Sequence, residues 1–164
     1  MMAPIMLARH LLPLAGALLA VSSAQAIEPG EMKARTAMIA ERYLAIWSSN
    51  DGTPVSGVPY MYGPTVRFYG RTYTQGQLAA EKRRAIQQWP VRRYVHRPGT
   101  LQVICNLPQK KCAARSIIDF EARNPARGTQ KHGSAKFDLG VSFAENHPRI
   151  LYEGGSLNRR GSDS

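Results

Sequence analysis

The densest group of chemically active side chains lies between residues 81 and 97, in the segment EKRRAIQQWPVRRYVHR. Arginines and aromatic rings are interleaved here. Guanidinium forks bind phosphate or carboxylate groups, and a neighbouring ring can stack on the ligand. We predict that this segment contacts a ligand through Arg83, Trp89, Arg92, Arg93 and Tyr94. The alternative is a solvated surface, because the three consecutive cations at positions 82–84 spread around most of a helix circumference.

Aromatic residues before this segment suggest a pocket. Tyr43, Trp47 and Tyr69 each join a ring to a polar tip, which suits the lining of a ligand site, and Tyr60 and Tyr62 extend the set. The competing interpretation is that Tyr43 and Trp47, four positions apart, are ordinary core residues of a helix.

Asp119 is the candidate for a catalytic carboxylate, the group that isomerases and dehydratases place inside an apolar cavity. Its neighbours Ile118 and Phe120 argue against that role, because side chains alternate along a strand and Asp119 would then face solvent. His96, His132 and His147 are scattered, and two thiols lack the further ligands of a zinc site. The sequence therefore predicts no metal site and no cofactor.

The chain has two cysteines, Cys105 and Cys112, separated by NLPQKK. This spacing lets them face each other across a tight β-hairpin. In an oxidising compartment the pair is expected to form a structural disulfide.

The first 26 residues have the pattern of a secretory signal peptide. The apolar stretch LLPLAGALLAV follows a weakly basic start and precedes SSAQA, where Ala24 and Ala26 form an A-x-A cleavage site. We expect cleavage near Ala26, a periplasmic or secreted product, and no transmembrane span in it. The remainder suits one domain over residues 27–158, with a frayed tail at 159–164.

Charge narrows the range of partners. The chain has 22 Lys and Arg against 11 Asp and Glu, a formal net charge of +11. Such a protein adheres to polyanions. For an exported protein an anionic envelope component is the expected partner, and nucleic acid is not. The alternative is that the charge only keeps the domain soluble.

Periodicity indicates the elements that position these residues. Residues 31–50 show helical spacing of Ile39, Tyr43, Ile46 and Trp47, and residues 74–89 form a second helix that begins with a capping box at Thr74 and Gln77. A short helical turn within 55–63 and a strand at 65–74, which Gly70 can bend, lie between them. Four strand candidates follow, at 91–106, 112–123, 131–145 and 149–160. This order predicts an α+β domain with helices on one face of an antiparallel sheet.

This order of elements resembles the nuclear transport factor 2-like superfamily, also called SnoaL-like, over residues 31–158. The string AEKRRAIQQWPVRRYVHRPGTLQVIC, followed by a second Cys and SIIDFEAR, is similar to small exported alphaproteobacterial modules of unassigned activity. The resemblance implies a curved antiparallel sheet wrapped around a long N-terminal helix, a cone with a pocket at its open end. It also makes a homodimer plausible, because the sheet face can pair.

The function we predict is an exported, non-enzymatic binding module that recognises a small ligand or an anionic envelope partner through the cone pocket or its basic rim. The alternatives are a small cavity enzyme of the isomerase or dehydratase type and an assembly subunit of an envelope complex. The fold does not decide among them. An enzyme requires an open cavity with an ionisable group inside.

Overall fold

The computed structural model of the chain describes residues 27–157, with the side chain of residue 157 excepted. The expected signal peptide and the frayed tail lie outside these residues. The helices are α1 (Pro29–Trp47), α2 (Thr53–Ser56), α3 (Val58–Met61) and α4 (Gln75–Gln88). The strands are β1 (Tyr62–Phe68), β2 (Arg71–Thr74), β3 (Val91–His96), β4 (Gln102–Asn106), β5 (Lys111–Asn124), β6 (Thr129–Ser142) and β7 (Arg149–Leu157). Within residues 27–157, none of the helices combines the length and apolarity that crossing a membrane requires.

The seven strands form one curved sheet in the order β2-β1-β7-β6-β5-β3, with β4 beside β5 on the same edge as β3. All neighbouring strands are antiparallel except β1 and β7. Helix α1 packs on the concave face, against β3, β4 and β5. The α+β class and the sheet curved around the first helix are therefore confirmed.

The core lies between α1 and the concave face of the sheet. Phe137, Leu139 and Val141 alternate along β6 and are all buried. Helix α4 begins with the predicted capping box, in which the Thr74 side chain accepts from the Gln77 backbone N–H and the Gln77 side chain accepts from the Thr74 N–H. This local pattern fixes where α4 starts, and so which of its residues face the cone.

Two element boundaries differ from the prediction. The single strand at 65–74 is a hairpin of β1 and β2, because Tyr69 and Gly70 both adopt positive φ and reverse the chain. The single strand at 91–106 is two strands, β3 and β4, separated at Pro98 and Gly99. Proline removes a backbone donor and Gly99 also has a positive φ, so the strand cannot continue through them.

The predicted disulfide is confirmed. Cys105 on β4 and Cys112 on β5 are direct cross-strand partners, with their Cα atoms 4.0 Å apart. The bond closes the β4–β5 hairpin, and Cys112 is buried in the core.

Candidate functional site

The interior of the cone contains a buried carboxylate. Glu153 on β7 is only 2% exposed and accepts hydrogen bonds from three elements. The Tyr62 hydroxyl donates to Oε2 at 2.7 Å, and Lys82 Nζ lies 3.2 Å from the same oxygen. The Tyr43 hydroxyl donates to Oε1. Glu153 thus connects α1, α4 and the start of β1 to the last strand of the sheet.

Lys82 is the counter-ion, and aromatic rings surround its ammonium group. Nζ lies 4.1 Å from the ring centroid of Trp47, and the rings of Tyr62, Tyr43 and Phe68 follow at 5.1, 5.3 and 5.4 Å. Rings at these distances stabilise a cation through their π faces. The ammonium is therefore held by one carboxylate and four aromatic faces.

Burial sets the protonation of this cluster. It lowers the pKa of Lys82, and the charge of Glu153 opposes that shift. Burial also raises the pKa of Tyr43 and of Tyr62 well above the ordinary tyrosine value, and the negative charge of Glu153 adds to the effect. Both hydroxyls consequently stay protonated at neutral pH and act as donors.

A cavity of about 160 Å³ opens beside this cluster. Glu153 lines this cavity, and Ala85 of α4 and Ile118 of β5 contribute apolar surface to it. The aromatic residues of its lining are Tyr43, Trp47, Phe68, Tyr69, Trp89, Tyr94 and Phe137. The cone is thus largely filled by its own side chains, with an aromatic space left over.

Arg92 lies at the edge of this cavity and binds the protein itself. Its Nε and Nη2 donate to the carbonyls of Trp47 and Ser49, while Nη1 donates to those of Trp89 and Pro90. These carbonyls follow the C-terminal ends of α1 and α4, where helices leave acceptors unpaired. Arg92 is only 4% exposed, so its guanidinium joins two helix ends.

The structure places the predicted ligand-binding residues in two groups. Tyr43, Trp47, Tyr69, Trp89, Arg92 and Tyr94 all line the cone cavity. Arg83 and Arg93 are exposed and lie outside it. Arg92 and Arg93 are neighbours on a strand, so their side chains point to opposite faces of the sheet.

Asp119 lies on the convex face of the sheet, away from the cavity. It accepts hydrogen bonds from Arg97, with Nη2 to Oδ1 at 2.6 Å, and this contact lowers the pKa of the carboxyl. Its position agrees with the solvent-facing alternative that alternation with Ile118 and Phe120 predicts. Within residues 27–157, no group of His, Cys, Asp and Glu side chains has the arrangement of a metal site.

Sequence reasoning missed Glu153 and the role of Lys82. Lys82 follows Leu78 by four positions and precedes Ala85 by three, so helical period alone places it on the buried stripe of α4. Glu153 has no such signal. Strict alternation from the buried Ile150 would put it on the opposite face, but a bulge between Ile150 and Tyr152 restores it to the inside.

Solved structures with the same architecture are numerous. A nuclear transport factor 2-like superfamily protein from Salmonella enterica serovar Typhimurium matches with a TM-score of 0.65 and 13% identity, covering 82% of this chain and 97% of that one. A candidate dehydratase of the same family from Streptomyces avermitilis matches with a TM-score of 0.65 and 8% identity, covering 80% and 99%. An uncharacterised protein with a cystatin-like fold from Caulobacter vibrioides matches with a TM-score of 0.65 and 12% identity, covering 80% and 92%.

The chain therefore has the nuclear transport factor 2-like fold, as the resemblance implied. The sequence itself matches no protein-family model and no curated protein. At these identities the likeness defines the architecture, and the function must be argued from the side chains of this chain.

Proposed function

We propose that this protein is an exported, non-catalytic binding module that holds one small planar ligand in the cone cavity. The observation that carries the proposal is the aromatic lining of the space of about 160 Å³ beside Glu153. An engineered apolar cavity of about 150 Å³ in another protein binds benzene. The space here suits one ring with a short substituent.

Polar groups of the lining narrow the ligand class. Glu153 Oε1 accepts from Tyr43, and a carboxylate oxygen has room for a second donor. Tyr69 and Tyr94 bring two further hydroxyls. The charges of Glu153 and Lys82 compensate each other, and the Arg92 guanidinium donates to backbone carbonyls, so the lining presents no unpaired charged group to an ionic ligand. A neutral ring that carries a hydrogen-bond donor, such as phenol, combines these requirements.

The alternative is a cavity enzyme, which the position of a buried carboxylate beside a cavity favours. General acid–base catalysis needs a group that can exchange a proton with the substrate. Here Tyr43, Tyr62 and Lys82 all donate to Glu153, and the ammonium neutralises its charge. The residual space also leaves little room for a substrate to change shape. Both observations favour binding over chemistry.

Recognition of an anionic envelope partner through the basic rim has less support. Arg92 uses its donors on backbone carbonyls, and Arg84 pairs with Glu81. Arg93 is exposed and does not line the cone cavity. The Cys105–Cys112 disulfide is compatible with a periplasmic or secreted location, which is part of the proposal.

Saturation-transfer NMR with phenol, benzoate and anilinium tests the proposal. We expect phenol to bind the wild-type protein and the two ions to bind weakly. Ala85→Leu fills the cavity and should abolish phenol binding, whereas Ala34→Leu, an exposed position on α1, should leave it unchanged. Equal phenol signals for wild type and Ala85→Leu would refute the cone as the ligand site. Conversion of a bound carbonyl or hydroxy compound by the wild type would establish the enzyme instead.

A further inference from the structure

A second concave site lies on the other side of α1. It is bounded by α1, by α2 and α3, and by the ends of β6 and β7 that face them, and we call it the α1 groove. Its volume is about 410 Å³, within the range of small-molecule sites. It shares no lining residue with the cone cavity. The two sites are therefore chemically independent.

The walls of the α1 groove are mainly aliphatic, with Tyr60 as their one aromatic residue, whereas those of the cone cavity are mainly aromatic. Ile39 and Ile46 project from α1, about two helical turns apart, and Ile150 lines the groove from β7. Met61, Val141 and Pro148 complete the apolar lining. Flexible methyl and methylene surfaces of this kind match an extended acyl chain better than a rigid ring.

Arg149 holds the far wall in place. Its Nη1 donates to the carbonyls of Pro59 and Tyr60, at 3.1 and 2.6 Å. The carbonyls belong to α3 and Arg149 begins β7, so the contact fixes α3 against the sheet. The groove is thus a braced feature of the fold.

One cation lines the groove. Arg42 is the only charged residue among the lining residues, and it is exposed. No carboxylate in the part of the chain that the structure describes pairs with it. Arg35 on the same helix pairs with Glu31, and Arg149 lies 3.7 Å from Glu145. Arg42 therefore brings to the groove a guanidinium that no described carboxylate pairs, and one ligand carboxylate could bind it bidentately.

We propose that the α1 groove binds a free straight-chain monocarboxylate, with the acyl chain against Ile39, Ile46 and Ile150 and the carboxylate on Arg42. A single unpaired cation favours one negative charge over the two of a phosphate monoester. The aliphatic lining would pack against the acyl chain of the ligand, and Arg42 would bind its carboxylate. This site is separate from the proposed function in the cone, and each can be present without the other.

Isothermal titration with decanoate, below its micelle concentration, tests the proposal. We expect one site per chain and weaker binding of decan-1-ol, which keeps the chain but lacks the charge. Arg42→Gln should weaken decanoate binding about tenfold, since a partly exposed charge-assisted contact is lost. Lys33→Gln, which removes an exposed cation from the same helix outside the groove, should leave it unchanged.

Two further variants separate this site from the cone. Ile39→Trp should fill the groove and abolish decanoate binding, with folding checked by circular dichroism. Ala85→Leu, which fills the cone cavity, should leave decanoate binding unchanged. The proposal is overturned if decanoate does not bind, if Arg42→Gln binds it as the wild type does, or if Ala85→Leu removes the binding.

Discussion

At the scale of single residues, the cone interior is organised by an ion pair that is costly to bury. Lys82 and Glu153 are each about 2% exposed, so both have lost their hydration. A buried pair is tolerated when hydrogen bonds satisfy its remaining valences, and Tyr43, Tyr62 and the ring of Trp47 do so here. Removing one partner leaves the other as a buried charge with neither a counter-ion nor water.

Substituting one member of the pair should be strongly destabilising. Glu153→Gln leaves the Lys82 ammonium without its counter-ion, and we expect a loss of about 3–5 kcal/mol in the free energy of unfolding. Urea denaturation followed by tryptophan fluorescence measures it. The double variant Glu153→Gln/Lys82→Met should recover part of the loss, because no uncompensated charge remains. Asp119→Asn, in the exposed pair with Arg97, is the control and should change little. A double variant as unstable as the sum of its singles would contradict this account.

The same cluster predicts how stability depends on alkaline pH. The pKa values of Tyr43 and Tyr62 are raised in the folded state, so the folded chain keeps protons that the unfolded chain releases near about pH 10. Stability should then fall as the pH rises above that value, by up to about 1.4 kcal/mol per pH unit for each group. The pKa of Lys82 is lowered in the folded state, so its deprotonation makes stability rise with pH. That contribution ends at the pKa of the unfolded chain, about 10.5.

Urea unfolding from about pH 9 to about pH 11.5 measures this dependence, and the ultraviolet absorbance of tyrosinate reports the tyrosines directly. Tyr62→Phe should reduce the slope above about pH 10.5. Tyr60→Phe is the matched control, since that ring is 79% exposed and lies outside the cone. Stability that stays constant or rises above about pH 10.5 would show that the two hydroxyls are not held protonated.

The residues of the site were predictable to different degrees, for physical reasons. Tyr43 and Trp47 follow from helical period, because aromatic rings on a buried stripe must face the sheet. Lys82 lies on the corresponding stripe of α4, but a cation is normally assigned to solvent. Glu153 depends on a bulge in β7, and a strand sequence does not reveal where an extra residue interrupts its alternation.

At the scale of elements, Arg92 connects the C-terminal ends of α1 and α4, which are far apart in the sequence. Helices α1 and α4 end near each other, and their last carbonyls need donors. Arg92 on β3 supplies them from one guanidinium. The order of helices and strands was readable from periodicity, because the apolar residues of each element repeat at the period of that element. The pairing of β1 with β7 and the role of Arg92 were not, since both depend on contacts distant in sequence.

Arg92→Lys should therefore cost stability despite keeping the charge. An ammonium cannot reach carbonyls on both helix ends in the planar fork geometry of arginine, so buried acceptors are left unpaired. We expect a loss of about 2 kcal/mol in the free energy of unfolding, measured by urea denaturation. Arg93→Lys, its exposed neighbour on the same strand, should stay within about 0.5 kcal/mol of the wild type. Equal effects at the two positions would mean that the network around Arg92 contributes nothing specific.

At the scale of the whole molecule, the disulfide and the segment before residue 27 both bear on whether the protein is exported. Structural disulfides are typical of oxidising compartments and rare in the cytosol. Cleavage after Ala26 would leave every residue that the structure describes, 27–157, in the product. The two features are encoded far apart in the chain, and the export that we propose would account for both.

Export can be measured on the intact chain expressed in a Gram-negative host. Mass spectrometry of the periplasmic fraction should find a product that begins at Ile27 and is lighter by two hydrogens than the reduced form, because Cys105 and Cys112 are bonded. Ala24→Asp/Ala26→Asp replaces the small residues required for cleavage, so its product should retain the N-terminal segment. A wild-type product that keeps residues 1–26, or that carries two free thiols, would be inconsistent with export. The cone and groove ligands would then have to be sought among cytoplasmic molecules.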